Sequence, residues 1–547
     1  KDDLVGDRLL NGHGVRPRVG GELSTLLTLQ ENAVESLVAH LGDKVTGVLK
    51  TFDRMLFRGT LLNLIRVESM VLYLNVLEIP QDRWGEHLRA MSDRVEYRCL
   101  DRAKELGIEV RHIGRSGVRK EDLARQIAAE RDITEGPIVM LTAQEPCKSF
   151  RISPSTVRKG GVYVRAIRPS VKHVYLYQFD PVFGFMHTRL QTWFPFNVQV
   201  YMNEHDWLAR AMDKEGLDYE QRGNCFTWVE DVAKAQVIAN RFLKTRWEVV
   251  LDRFARLINP ALPDVLGPFR STYYWSLLQS EFSTDILFGR ASDVAEVYRP
   301  MILHGINALG CQDVLRFFDK KQLASRHVRI DASYKATSEG VRLKHRYGHN
   351  SIKVYNKAAN VLRFEATINN TKVFKTYRAK TGDPKGPKAW RALPQGIAHI
   401  RDRAKLSEGC NERYAEALAV ADSSAPLGEL IQRVSGSVSW EKRRARGIRL
   451  GSPNDLRLLK AVNRGEFALA GFRNADLQAF LYDKPAKDAE ERRRRSAHVT
   501  RLIRILRAHH LLRKMPRAWR YKVTPEGREI IASLLAAQEV TLQQIRK

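Results

Sequence analysis

The chain has 547 residues, 44% hydrophobic and 28% charged, and its 91 Lys and Arg outnumber 62 Asp and Glu to give a formal charge of +29. That length exceeds a single core, so several domains are expected, and the charge predicts a polyanionic partner, nucleic acid by default. Five scattered cysteines with no C-x-x-C pair argue against a disulfide framework and a cysteine zinc site and suit a reducing cytosol; apolar runs such as 530–537 are too short to span a bilayer, so no membrane partner is expected.

In chain order, residues 1–21 are Gly- and Arg-rich without periodicity and read as a flexible arm. Residues 22–150 read as an α/β domain. It has helices at 31–41, 86–106 and 120–131, a strand, turn and second strand over 45–60, and a buried strand at 136–142. Residues 151–228 begin an antiparallel sheet domain, with strands at 162–167, 171–179, 183–192 and 197–202 and a helix at 204–215. Residues 229–325 read as a helical insertion, interrupted at Pro260, Pro263 and Pro268. Residues 326–434 complete the sheet. Strands at 327–334, 340–346, 351–356 and 361–369, joined by tight turns, make an antiparallel meander, followed by a basic loop at 371–393 and helices at 394–421 and 426–434. An Arg-rich linker, 435–451, supplies Arg443 and Arg444 as candidate phosphate contacts. The expected fold class is α+β and multi-domain: an α/β N-terminal part, a palm-like antiparallel sheet with a helical insertion, and a C-terminal winged helix-turn-helix.

That last module carries the strongest charge signal. Residues 441–547 hold 26 Lys and Arg against 11 Asp and Glu, about half the excess charge in one fifth of the chain. Ser452 and Pro453 suit a helix cap and first turn, and Asn474 reads as the cap of a second helix. A charged helix at 489–509 keeps Val499, Leu502, Ile503 and Leu506 on one face. Its other face carries Arg493, Arg494, Arg495, Ser496, His498, Thr500, Arg501 and Arg504, the candidate contacts to bases and phosphates. A hairpin over 512–523 adds Arg517 and Arg520. The pattern L-R-A-H-H-L-L-R-K … R-Y-K-V-T-P-E-G-R resembles the winged-helix domains of bacterial MarR-like regulators. The resemblance implies a recognition helix in a major groove and a wing along the backbone. A basic helix in a protein-contact module is the alternative.

The meander is the second distinctive feature. Alternation puts Lys353, Tyr355 and Lys357 on one face, and Arg363 and Glu365 of the next strand can lie beside them. Tyrosine can attack a phosphodiester, a carboxylate can hold the divalent ion that polarises it, and lysine can stabilise developing charge. The stretch is similar to the K-x-Y-x-K … L-R-x-E segment of rolling-circle replication initiators of the plasmid Rep_trans and filamentous-phage type. That resemblance implies Tyr355 as nucleophile, with Lys357, Lys353 and Arg363 around it and Glu365 and Asp331 as ligands of Mg²⁺ or Mn²⁺. The H-x-H metal motif of nicking enzymes is absent from the chain. Ordinary cross-strand pairing on a solvated sheet face accounts for the same residues.

Other residues carry weaker signals. Lys344, His345 and Arg346 form a basic run on the meander, and His187 and Arg189 a polar stripe on an earlier strand; both are candidate nucleic-acid contacts. Asp53, in F-D-R-M-L-F-R-G, stands where an RNase H-like nuclease keeps a metal ligand. The aromatic run at 273–285 with Glu281 and Asp285 reads as a helical core stripe. No Walker A, dinucleotide fingerprint, serine elbow or H-E-x-x-H occurs, which excludes the corresponding enzyme classes. F-D-R-M-L-F-R-G, F-G-F-M-H-T-R-L-Q-T-W-F-P-F, K-H-R-Y-G-H-N-S-I-K-V-Y-N-K and R-G-E-F-A-L-A-G-F-R-N together resemble a widespread bacterial family of mostly uncharacterised members. These often bear the MarR label for their C-terminal module. Three functions are expected to compete: a mobile-element protein that binds and nicks DNA, a non-enzymatic transcription regulator, and a partner of a large structured RNA. DNA is favoured over RNA, and a homodimer is admitted.

Overall fold

The computed structural model describes residues 34, 37, 38, 41–114, 117–155, 161–320, 328–380, 383, 385–419, 427–441, 443–449, 451–464, 467, 471–515 and 518–539. The expected arm at 1–21 and the wing residue Arg517 lie outside them. The fold is mixed α and β, built on one large sheet of eleven strands. These are β1 (Val45–Leu61), β2 (Val110–Ile113), β3 (Gly136–Pro146), β4 (Ser170–Asp180), β5 (Gly184–Gln191), β6 (Val198–Asn203), β7 (Tyr273–Phe288), β8 (Ile330–Thr337), β9 (Gly340–Tyr347), β10 (Asn350–Lys357) and β11 (Val361–Ile368). Their order across the sheet is β8-β9-β10-β11-β7-β1-β6-β5-β4-β3-β2. Only the β2–β3 pairing is parallel. The segments expected as an N-terminal domain, a sheet domain and an insertion therefore share one sheet.

Alternation decides what each face does. On one face Met55 and Phe57 of β1, Leu277 and Phe282 of β7 and Val198 and Val200 of β6 are buried. They pack against the helices Val67–Val76, Trp84–Glu105 and Trp247–Ile258. Further along the same face, Ile286, Phe364, Val354 and Leu343 pack against helices Ala291–Ala308, Cys311–Phe317 and Ile400–Leu418. The opposite face is polar. Helices Glu204–Lys214 and Val232–Phe242 cover one part of it through Leu49, Leu287 and Val361. Helix Lys120–Glu130 covers another through Tyr175, Tyr177 and Phe185. The strip between these covers holds the candidate site.

Several expectations change. The basic loop expected at 371–393 folds in part as a hairpin of Lys375–Arg378 with Ala389–Ala392, and the linker expected at 435–451 holds the pair Val438–Trp440 with Arg443–Ala445. Residues 45–60 form one continuous strand rather than a strand–turn–strand, because the turn signal at Asp53–Arg54 is taken up by a register shift between Phe52 and Met55. The run at 273–285 is a strand, β7, paired along its length with β1. Its Trp275, Leu277 and Phe282 are buried by sheet packing. The meander strands and the helices flanking them form close to the expected bounds.

In the C-terminal segment the helices Pro453–Val462, Asn474–Leu481, Ala489–Ala508 and Pro525–Glu539 surround a hairpin of Leu512–Lys514 with Tyr521–Val523. Ser452 caps the first helix as its sequence suggested. Asn474 is the first residue of its helix rather than the cap, and its amide bonds Ser496 O and Thr500 Oγ1, each at 2.8 Å. Among the described residues no helix is long and apolar enough to cross a membrane.

Candidate functional site

The site starts from an irregularity in β1. The bulge at Asp53–Arg54 lets two consecutive side chains serve the same polar face, a common use of bulges beside functional sites. Asp53 then meets Glu281 of β7 and Glu365 of β11. One carboxylate oxygen from each lies within 4.8 Å of the others. Asp53 and Glu365 are buried, whereas the Glu281 side chain keeps 13% of its exposure. Arg54, 46% exposed, lies over the Tyr201 ring at 5.4 Å and borders the opening.

A second layer fixes this arrangement. Arg363, fully buried, forks onto Asp285 through Nε at 2.7 Å and an η-nitrogen at 2.6 Å, and reaches Asp53 Oδ2 at 3.2 Å. Asn224 donates to both Asp53 oxygens, at 2.6 and 2.7 Å, and Asn203 to one at 3.0 Å. His205 lies 3.4 Å from Arg363 and 3.2 Å from Thr51 Oγ1. A buried bidentate pair of this kind aligns charges with high directional precision. Burial would lift the Asp285 carboxyl, but Arg363 and His205 hold it below its ordinary range.

The carboxylates of the trio differ in electrostatic state. Burial and the neighbouring Glu365 push Glu281 up to about 7. Glu365 is also buried, yet Lys353 and Tyr355 bring it down to about 2. Lys353 Nζ bonds Glu365 and lies 3.9 Å from Glu281, so the ammonium acts as the resident cation of the pair. Tyr355 donates to the other Glu365 oxygen at 2.7 Å, and burial, with Glu365 beside it, raises its phenol well above the usual value. The phenol is therefore a protonated donor that orients Glu365. Three hard oxygen donors fit Mg²⁺ or Mn²⁺ better than a softer metal.

The predicted residues separate into groups. Tyr355, Lys353, Arg363 and Glu365 do come together, while Lys357 lies at the end of β10. Asp331 does not join them. It sits on β8 beside Arg329 at 3.3 Å and Arg346 at 3.9 Å. Three strand spacings of about 4.8 Å separate β8 from Glu365 on β11. Of the expected ligands Glu365 stays and Asp331 drops out, with Asp53 and Glu281 in its place. Lys344 shares the polar face with Arg342 and Arg346; burial and the cations Lys353, Arg346 and Arg342 lower its ammonium. His345 points the other way, into the core against Phe317 and Tyr414, and cannot contact a ligand. His187 stacks on Tyr201 at 5.1 Å, and Arg189 is engaged by Glu145 at 2.6 Å and Tyr175 at 3.0 Å. That stripe is therefore an internal network rather than a bare phosphate face.

In the C-terminal segment Arg493, Arg494 and Arg501 are exposed, with Arg494 4.0 Å from Glu490. Arg495 is bound to Glu491, bonds Lys484 O and lies over the Tyr482 ring. His498 bonds Tyr482, and Thr500 bonds Ser496 O. Arg504 is half-buried, and Ser496 lies 3.4 Å from Asn474. Arg520 donates to Gly471 O at 2.9 Å. Arg443 is exposed beside Arg444, which donates to Ser437.

No family model matches the chain, and no curated protein is significantly similar to it. Among solved structures, the class II 3-hydroxy-3-methylglutaryl-CoA reductase of Streptococcus pneumoniae aligns over 88% of this chain and 82% of its own, at 10% identity and a TM-score of 0.19. The di-domain ARO/CYC BexL from the BE-7585A biosynthetic pathway aligns over 56% and 94%, at 12% identity and 0.14. Neither likeness bears on the fold or the chemistry.

Proposed function

We propose that this protein binds nucleic acid and cleaves a phosphodiester bond in it with the help of a divalent cation held by Asp53, Glu281 and Glu365. The observation that carries this reading is the convergence of those three carboxylates from three adjacent strands, on a face bordered by Arg54, Lys344 and Arg346. Cations outside and carboxylates inside are the arrangement that draws in a phosphate and places it against a metal. A divalent ion there would polarise the scissile phosphate and offset charge developing on it. Within the chain, Arg363 fixes Asp53, Tyr355 orients Glu365, and Arg54 and Lys344 attract the phosphate. The C-terminal segment acts in this reading as a winged-helix docking device, with Arg493, Arg494 and Arg501 facing the backbone.

A second version of the attack is favoured by one observation, the Tyr355 hydroxyl 2.7 Å from a ligand carboxylate. In it the tyrosine oxygen, giving up its proton, bonds the phosphorus as the P–O bond to the neighbouring sugar breaks, which leaves a phosphotyrosine adduct and a free sugar hydroxyl that has taken up a proton. One gel separates the two. With end-labelled single-stranded DNA and Mn²⁺, cleavage that persists in Tyr355→Phe without an adduct supports the hydrolytic version. An adduct lost in Tyr355→Phe supports the nucleophile. Absence of Mn²⁺-dependent cleavage in any form overturns both.

A further inference from the structure

Away from the carboxylates, the same polar sheet face ends in a cleft of about 1040 Å³. Its floor is β1 and β7: Arg58 and Thr60 stand beside Ser276 and Tyr274. One wall is the hairpin of Ser149–Pro154 with Val162–Ile167, and the other the hairpin of Lys375–Arg378 with Ala389–Ala392. The charged residues lining it are Arg58, Lys148, Arg168, Lys372 and Arg378, with no acidic residue among them. Arg378 is held by the carbonyls of Ala379 and Ala392. Arg58, Lys148, Arg168 and Lys372 have no carboxylate within 4.0 Å among the described residues, and Arg58 Nε is buried without a hydrogen-bond partner. Burial and the nearby Arg189 lower the Arg58 guanidinium, so that group lacks its counter-charge. The unpartnered donor of Arg58 is buried, and an anion in the cleft would complete it, with Lys148, Arg168 and Lys372 at the rim adding attraction.

We infer that this cleft is a binding site for single-stranded nucleic acid, which it feeds along β1 toward the carboxylate trio. Resting on the nucleic-acid reading above, the inference adds the class of strand and the place where it lies. Three observations favour a single strand over a duplex. The volume is close to the upper end of the ~300–1,000 Å³ of small-ligand pockets, room for a few unpaired nucleotides and not for a helix whose major groove alone is ~12 Å wide. Tyr274, 48% exposed, presents a ring on the floor. The hairpin that supplies Arg378 and Ala392 also displays Tyr377 and Trp390, both more than half exposed and 5.8 Å apart. Basic grooves with exposed aromatic faces bind unpaired bases by stacking, and duplexes hide those faces. The route to the trio follows from register. Arg54, Leu56 and Arg58 alternate on one face opposite Asn203, Tyr201 and Gln199, and the four residue steps from Arg58 to Arg54 cover about 13 Å.

The test uses the full chain in EDTA, so that no cleavage intervenes, with a labelled 12-nucleotide oligo-dT and a 12-bp duplex as probes. Lys148, Arg168 and Lys372 are exposed, so Lys148→Ala/Arg168→Ala/Lys372→Ala should fold normally, which a melting curve checks. Expected are a loss of oligo-dT affinity of tenfold or more, a salt slope lower by about 2, and duplex affinity unchanged within twofold. Tyr274→Ala should weaken oligo-dT about tenfold by loss of stacking. Unchanged oligo-dT affinity and slope in the triple variant, or an equal loss on the duplex, would overturn the inference. The carboxylate reading is scored separately by Mn²⁺-dependent cleavage. Intact oligo-dT binding without cleavage would remove that reading and leave the cleft standing.

Discussion

At the scale of the residue, Glu281 is the most informative side chain because its cost and its use are the same property. Its carboxyl is raised to about 7, against about 4.3 in an unfolded chain. The stability it contributes is complete below the unfolded value and is lost as pH rises through the folded one. Glu281→Gln should therefore stabilise the metal-free protein at pH 8, by on the order of 2 kcal/mol, with the advantage fading by pH 4. Paired thermal melts at the two pH values check this. The same group makes ion binding pH-dependent. A carboxylate must lose its proton to hold a metal, so Mn²⁺ affinity should climb as pH rises from 6 to 8 and level off above. A flat profile across that range would show that Glu281 is not a ligand.

At the scale of the element, the bulge in β1 explains both what was legible in the sequence and what was not. The Tyr355–Glu365 hairpin could be read from alternation alone, because both strands are short and joined by a tight turn. Asp53 could be flagged from its strand, but its partners come from segments more than 200 residues away. The pairing of β1 with β7 that unites them leaves no local pattern. Glu281 and Asp285, four apart in a run rich in aromatics, imitate helical spacing, and the strand identity of β7 follows only from its neighbours. Asp331 failed for a related reason: position on the meander is periodic, but distance across it accumulates one strand at a time.

The charged helix Ala489–Ala508 was legible because its signal is local. Its Val499, Ile503 and Leu506 are buried at helical spacing, and Arg493, Arg494 and Arg501 are exposed. If those three meet phosphates, Arg493→Ala/Arg494→Ala/Arg501→Ala should reduce the salt slope of duplex binding by about 3 without lowering Tm. A slope unchanged by the substitutions would assign the helix to protein contact instead.

At the scale of the whole molecule, the charge distribution and the sheet tell one story. The C-terminal segment packs back on the main body, where Arg528 pairs with Glu416 at 2.9 Å and Lys522 approaches it at 4.0 Å. So attached to helix Ile400–Leu418, the C-terminal segment stands on the helix layer that covers the apolar face, and the basic cleft and the buried carboxylates lie on the other face of the sheet. The claim that makes this a cleaving protein rather than a binding one is that the trio holds a divalent ion. The most direct measurement is Mn²⁺ titration at pH 8, read by electron paramagnetic resonance, on the wild type and on Glu281→Gln. One saturable site in the wild type that is lost or weakened at least tenfold in the variant is the predicted result. Equal binding by the two proteins, or none by either, would contradict it.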